Sequence, residues 1–180
     1  ENILLDNNTV SNAYEPIHAT GHTTEVFFDI GLIIQNNTVS DYNGSSVTSA
    51  GIATNNQASP IVQLNNISNC TGAIGQVYGI YSNSPNSTIS RNTILSLVSA
   101  GSVHGINAIS SAVIEKNKVA NLTTTGNYDV AGIRKQGATT TGTINTVLMR
   151  YFYTTGSFEL LTDAANLGNV LINLNIPPRI

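Results

Sequence analysis

Short runs of alternating apolar and polar residues recur along this chain at a nearly constant distance. Each run is closed by a polar turn residue. The clearest element of the pattern is Asn-x-Val/Ile. It stands at Asn8-Thr-Val10, Asn37-Thr-Val39, Asn65-Asn-Ile67, Asn92-Thr-Ile94, Asn117-Lys-Val119 and Asn145-Thr-Val147. The spacing from one asparagine to the next is nearly even along all six copies. Three residues before the Asn comes Leu5, Ile34, Val62, Ile89 or Ile114, and only the sixth copy breaks this, with Gly142. Three residues after the Val/Ile comes Ala13, Tyr42, Cys70, Leu97 or Leu122. The residue just before that one is Asn12, Asp41, Asn69, Ser96 or Asn121. This is a turn position, and Asn and Asp tolerate the left-handed backbone there.

A second block sits at mid-period: Ala50-Gly51-Ile52, Tyr78-Gly79-Ile80, His104-Gly105-Ile106 and Ala131-Gly132-Ile133. A third β-type run lies near Ser59–Leu64, and no helical period separates the blocks. The period is too short for a propeller blade and lacks a leucine-rich signature. The solution left is a coil of short strands, each pairing in parallel with its equivalent one period later. The spacing predicts about six coils of roughly 25–29 residues. At an ordinary strand spacing of about 4.8 Å they form a rod about 30 Å long.

Composition sharpens this picture. Apolar residues make up 41% of the chain, enough for a core. Charged residues make up 9%, against about 25% in ordinary proteins. Asn, Thr and Ser dominate the polar positions, so amides and hydroxyls replace Lys and Glu on the surface. Such a mixture favours strands and turns over helices. The net charge is −3 and the seven Lys and Arg are scattered, so there is no basic stripe for nucleic acid. No apolar run approaches the ~20 residues of a membrane span. The single Cys70 excludes a disulfide framework and a cysteine-rich zinc site. Low charge and one thiol suit an extracellular or cell-surface bacterial setting.

The Asn-x-Val/Ile copies and the coil "YGIYSNSPNSTISRNTI" (78–94) resemble the right-handed parallel β-helix family, the superfamily of pectate lyases and polygalacturonases. More narrowly, they resemble the Asn/Thr/Ser-rich repeats of large secreted bacterial surface proteins. The resemblance covers about residues 1–147. It implies an all-β, right-handed parallel β-helix, with 148–180 as an irregular last coil or cap of the same domain. Asn173 follows Asn145 at the same period, so a last coil through 169–176 is expected. No cap precedes Ile3, so that end is expected to continue or to stack on another chain.

The repeated residues read as scaffold. Val10, Val39, Ile67, Ile94, Val119 and Val147 are expected to stack inside the coils, each burial contributing ~1.5–3 kcal/mol. Asn8, Asn37, Asn65, Asn92, Asn117 and Asn145 are expected to form an amide ladder or to cap turn backbone locally. Cys70, in step with Leu97 and Leu122, reads as a core thiol.

Catalytic chemistry is harder to find. A β-helix hydrolase needs paired carboxylates, and a lyase needs a calcium-binding acidic cluster with a basic residue. The polygalacturonase resemblance implies Asp-Asp, Gly-His-Gly and Arg-Ile-Lys. This chain offers only Val103-His104-Gly105 and Ile133-Arg134-Lys135. His18, His22 and Glu25 are the one metal-like cluster, but Gly21 and the surrounding threonines argue for a polar loop. No catalytic residue, metal ligand or cofactor is assigned. The leading expectation is a structural or adhesive solenoid whose loops bind carbohydrate or a surface protein. The alternatives are a polysaccharide-active enzyme and a subunit that self-associates end to end.

Overall fold

The computed structural model describes residues 2–42, 48–72, 74–136, 144–145 and 148–149. Within them the chain winds into a parallel β-solenoid whose faces are three sheets. The first sheet stacks Ile3–Asp6, Leu32–Gln35, Ile61–Gln63, Ser87–Ser90, Ala112–Glu115 and Ile144–Asn145. The second stacks Thr9–Ser11, Thr38–Ser40, Asn66–Gly72, Thr93–Ser99, Lys118–Thr124 and Leu148–Met149. The third stacks Ile17–Thr20, Ser49–Asn55, Val77–Asn83, Val103–Ala108 and Val130–Lys135. A short extra pairing joins Asp29–Ile30 to Gln57–Ala58. The pairings are parallel, and they make about five turns, close to the six coils counted from the motif. One 3-10 turn, Glu25–Phe27, interrupts the β structure of the first coil. No helix among the described residues is long and apolar enough to cross a membrane.

The core follows from the period-two pattern of each strand. Ile34, Val62, Ile89 and Ile114 line its first-sheet side, and all are fully buried. Val39, Ile67, Ile94 and Val119 line the second, one above another in register. Ile52, Ile80, Ile106 and Ile133 close the third. Cys70 lies in this core in register with Leu97. Gly51, Gly79 and Gly105 let the third sheet approach the second. A Cβ on Gly79 stands 2.5 Å from Ile94 Cγ2 and 2.6 Å from the Gly105 carbonyl oxygen.

Between the first and second sheets the chain turns a sharp corner, and the repeated asparagine holds it. Asn37 Nδ2 donates to Asn65 Oδ1, Asn65 Nδ2 to Asn92 Oδ1, and Asn92 Nδ2 to Asn117 Oδ1, each at 3.0 Å. Each of those Oδ1 atoms also accepts from the backbone N–H of the same partner one coil back. The second Nδ2 hydrogen reaches a backbone carbonyl: Leu5 from Asn37, Ile34 from Asn65, Val62 from Asn92 and Ile89 from Asn117. Asn37, Asn65 and Asn92 are thus buried amides with both Nδ2 hydrogens used, and Asn117, equally buried, gives one to Ile89. Asn8, in the exposed first coil, joins through Nδ2 to Asn37 Oδ1 at 2.9 Å. The side chains therefore bond both to each other and to the turn backbone.

Two corners of each coil use the left-handed backbone. Asn12, Asp41, Asn69, Ser96 and Asn121 have φ of 53–58°, at the turn position read from the sequence. The residue before the ladder asparagine does the same: Asn7, Asn36, Leu64, Arg91 and Lys116, at 54–58°. Leucine, arginine and lysine have no intrinsic taste for this region. They occupy it because the buried asparagine beside them fixes the corner from outside.

The sixth coil departs from the motif. The Asn-x-Val spacing places Asn145 above Asn117 and Val147 above Val119. In the structure Asn145 pairs with Glu115, Ile144 with Ile114, and Met149 with Val119. Asn145 is therefore out of the ladder register by two positions. The alignment that wins puts Ile144 in step with Ile114, continuing the Leu5–Ile114 row that Gly142 had broken. Val147, the helical turn at 162–168 and the capping segment beyond Met149 lie outside the described residues.

Candidate functional site

The outward face of the third sheet is where the coils stop resembling one another. Strand register defines two outward rows. One runs Ala50, Tyr78, His104, Ala131. The other runs His18, Ala53, Tyr81, Asn107, Arg134. Small residues in the second coil stand between larger ones in the first and third. The result is a trough of about 340 Å³. Ala50 and Ala53 line it together with Tyr78, Tyr81, Glu15 and His18, and the amides of Asn55, Gln76, Asn107 and Gln136, with Thr48 and Ile109, complete the wall.

The two tyrosine rings lie 5.2 Å apart, centroid to centroid, and are tilted by 41°. Tyr78 Oη donates to Gln76 Oε1 at 2.6 Å. Burial raises the pKa of Tyr78, with the neighbouring Tyr81 adding to the shift, while a hydrogen bond from the Asn107 side chain opposes it. Burial raises Tyr81 as well. Both phenols are neutral donors at physiological pH. Asn107 is 2% exposed and its Oδ1 has no partner among the described residues.

At one end of the trough His18 Nδ1 lies 2.7 Å from Glu15 Oε2. Asn55 Nδ2 approaches His18 Nε2 at 3.1 Å, and Thr20 Oγ1 approaches it at 2.8 Å. An amide nitrogen only donates, so Nε2 is the acceptor and Nδ1 carries the proton toward Glu15.

Beyond the other end lies a second polar cluster. Asp129 Oδ1 accepts from Ser102 Oγ at 2.5 Å. Asp129 Oδ2 lies 3.3 Å from Arg134 Nη1 and 2.7 Å from His104 Nε2. That last contact, ring nitrogen to carboxylate, requires Nε2 to carry the His104 proton. Burial lowers the pKa of His104 more than Asp129 raises it, so the ring is neutral at physiological pH. Burial pushes Asp129 up, but the hydrogen bonds from Ser102 and His104 and the Arg134 charge outweigh it, and its pKa falls below the ordinary value. With the Gln136 amide turned to its satisfied orientation, its oxygen accepts from Arg134 Nε at 2.9 Å and Nη2 at 2.7 Å. This cluster is self-contained. It fixes Arg134 and Gln136 at the rim of the trough.

The residues singled out from the sequence distribute unevenly over this face. His104 and Arg134 come together around Asp129, and His104 is fully buried with its ring 5.4 Å from that of Tyr78. His18 turns to Glu15, not to His22 or Glu25. His22 instead packs edge-on against Phe27, ring centroids 5.3 Å apart. No group of three His, Cys, Asp or Glu able to hold a metal occurs among the described residues. The asparagine and aliphatic ladders line the interior and take no part in the trough. Tyr81, Asn107 and Glu15 were not marked by the motif, because they fall where the repeat varies. The signal for them was the series Ala, Tyr, His, Ala before the repeated glycine. A step from Ala50 to Tyr78 in stacked coils makes a hollow.

The trough holds one carboxylate among its lining residues, Glu15. Asp129 precedes the fifth strand of the third sheet and Glu15 the first. Four strand spacings of about 4.8 Å put them about 19 Å apart. The paired acids of glycosidases stand about 5–9.5 Å apart. No family model matches the chain, no curated protein matches it, and no solved structure matches it. The resemblance to pectate-lyase-like solenoids thus stands on the coil motif, and the fold itself is a parallel β-solenoid.

Proposed function

We propose that this chain is a structural, adhesive β-solenoid segment of a secreted or cell-surface bacterial protein, and that it holds carbohydrate in the trough of its third sheet. One observation carries the reading: two adjacent neutral tyrosines, one buried and one half-buried, form one flank of a hollow whose other polar lining groups are mostly amides. Tyrosine offers a rigid amphipathic ring that orders little entropy on binding. Amides can both donate to and accept from sugar hydroxyls. At about 340 Å³ the trough lies at the low end of small-molecule sites, the scale of a short stretch of glycan. The rod of repeated coils presents this face on a rigid support, and the sparse charge of the surface suits a setting outside the cell.

The test is direct. The purified chain is applied to a glycan array, and any hit is titrated by calorimetry. Binding is expected, and Tyr81→Ala is expected to weaken it at least about tenfold while the far-ultraviolet circular dichroism stays that of β structure. Binding that ignores Tyr81→Ala, or an array with no hits, sinks the proposal.

A further inference from the structure

We infer that the trough selects sugars without negative charge and rejects uronates and other acidic sugars. This rests on the carbohydrate reading above and names the ligand class of that same site. Three observations converge on it.

The first is the charge of the lining. Glu15 is its carboxylate, and no Lys or Arg lines it among the described residues. His18 Nδ1 lies on Glu15 Oε2 at 2.7 Å, and its Nε2 is engaged by Asn55 Nδ2 and Thr20 Oγ1. The second is the nearest cation. Arg134 stands beside Asn107 in the outward row, but Asp129 holds Nη1 and Gln136 holds Nε and Nη2. Its charge is matched by Asp129 before any ligand arrives. The third is the kind of group left unsatisfied. Asn107, 2% exposed and lining the trough, leaves its Oδ1 without a partner among the described residues. A buried acceptor without a donor is costly, and it calls for a hydrogen-bond donor. Gln76 Oε1 and the Glu15 carboxylate are acceptors too.

The trough therefore pairs its neutral donors with an unpartnered acceptor and one carboxylate, and with no cation in its lining it repels anions. A neutral hexose supplies hydroxyl donors around the whole ring. A uronate replaces one hydroxyl with a carboxylate, which only accepts and which faces Glu15. Selectivity of this kind is a difference between two affinities, built by a repulsive element beside the attractive ones.

The experiment titrates the purified chain by calorimetry at low ionic strength with matched trisaccharides of a neutral hexose and of its uronic acid. Several hexose configurations are used, and each is repeated with Glu15→Gln. Gln keeps an oxygen to accept from His18 Nδ1 and loses only the charge. The wild type is expected to favour the neutral member of a pair by about tenfold or more. In Glu15→Gln that ratio is expected to fall toward one. Uronates bound as tightly as neutral sugars by the wild type overturn the inference and leave the carbohydrate reading standing. A ratio unmoved by Glu15→Gln overturns the assignment to Glu15 charge. Silence across all sugars overturns the carbohydrate reading and this inference with it.

Discussion

The corner between the first and second sheets and the outward face of the third sheet are built from the same coils by opposite rules. At the corner every coil from the second to the fifth places the same residue, Asn37, Asn65, Asn92 and Asn117, in the same bonds. On the outward face the same coils place Ala50, Tyr78, His104 and Ala131 at one position. Repetition at the corner makes each coil a template for the next, so bonds add along the rod. Variation on the face makes hollows and steps, and only there can one coil do what its neighbour does not. In a solenoid, what repeats is scaffold and what deviates is where a ligand can be told apart from solvent.

The largest effect is expected at the corner. Asn92→Ala removes the acceptor of both Asn65 donors and leaves the Val62 carbonyl oxygen without its Asn92 donor, all of it buried. A loss of about 3–5 kcal/mol is expected in urea denaturation, with little change in the slope. Glycan binding by the remaining folded fraction should stay at the wild-type affinity. Gly79→Ala should cost about 1–3 kcal/mol, because its methyl group meets Ile94 and the Gly105 carbonyl oxygen. Ala131, one residue from the matching glycine on the outward row, offers a contrast: Ala131→Ser should shift the stability by less than about 0.5 kcal/mol.

Tyr81→Ala inverts the corner result. Stability should change by no more than about 1 kcal/mol, since Tyr81 is only half-buried, while glycan affinity falls at least about tenfold. A smaller effect is expected at Leu64, a 45% exposed leucine with φ of 58°. Leu64→Asn should raise stability by about 0.5–1 kcal/mol, read as a higher denaturation midpoint, because Asn adopts the left-handed region at less cost.

The smallest effect is pH dependence from His104. Its folded pKa lies below the ordinary 6.5, so the unfolded chain takes up its proton first. The neutral ring stabilises the fold above that ordinary value, and the contribution is lost as pH falls through it toward the lower folded value. The denaturation midpoint should decline below about pH 6.5, and His104→Gln should flatten that decline. Asp129 adds a second loss below its own ordinary range, again because its folded pKa is depressed.

The parts of the molecule that repeat were legible in the sequence because repetition converts a weak local signal into a strong one. Asn65 alone says little; Asn65 among its evenly spaced copies marks a coil. The φ of Asn69 and Asn121 followed from their residue type, whereas Leu64, Arg91 and Lys116 adopt the same region through their neighbours and gave no sign of it. The sixth coil departs from the motif. The motif aligned Asn145 with Asn117, but the pairing followed Ile144 onto Ile114. The trough was not legible as a motif at all. Glu15 and Tyr81 are distant in the chain and meet only through the stacking of three coils. A pattern search collects what coils share, and this site consists of what they do not.

The division between scaffold and face is tested most directly by mapping amide chemical shifts while a neutral trisaccharide found by the array is titrated into the labelled chain. The account predicts shifts centred on Tyr78, Tyr81 and Asn107, extending to Ala53 and Glu15, with the Asn37–Asn117 ladder unmoved. Shifts centred on the second sheet or spread along the ladder, with Tyr81 silent, would contradict it.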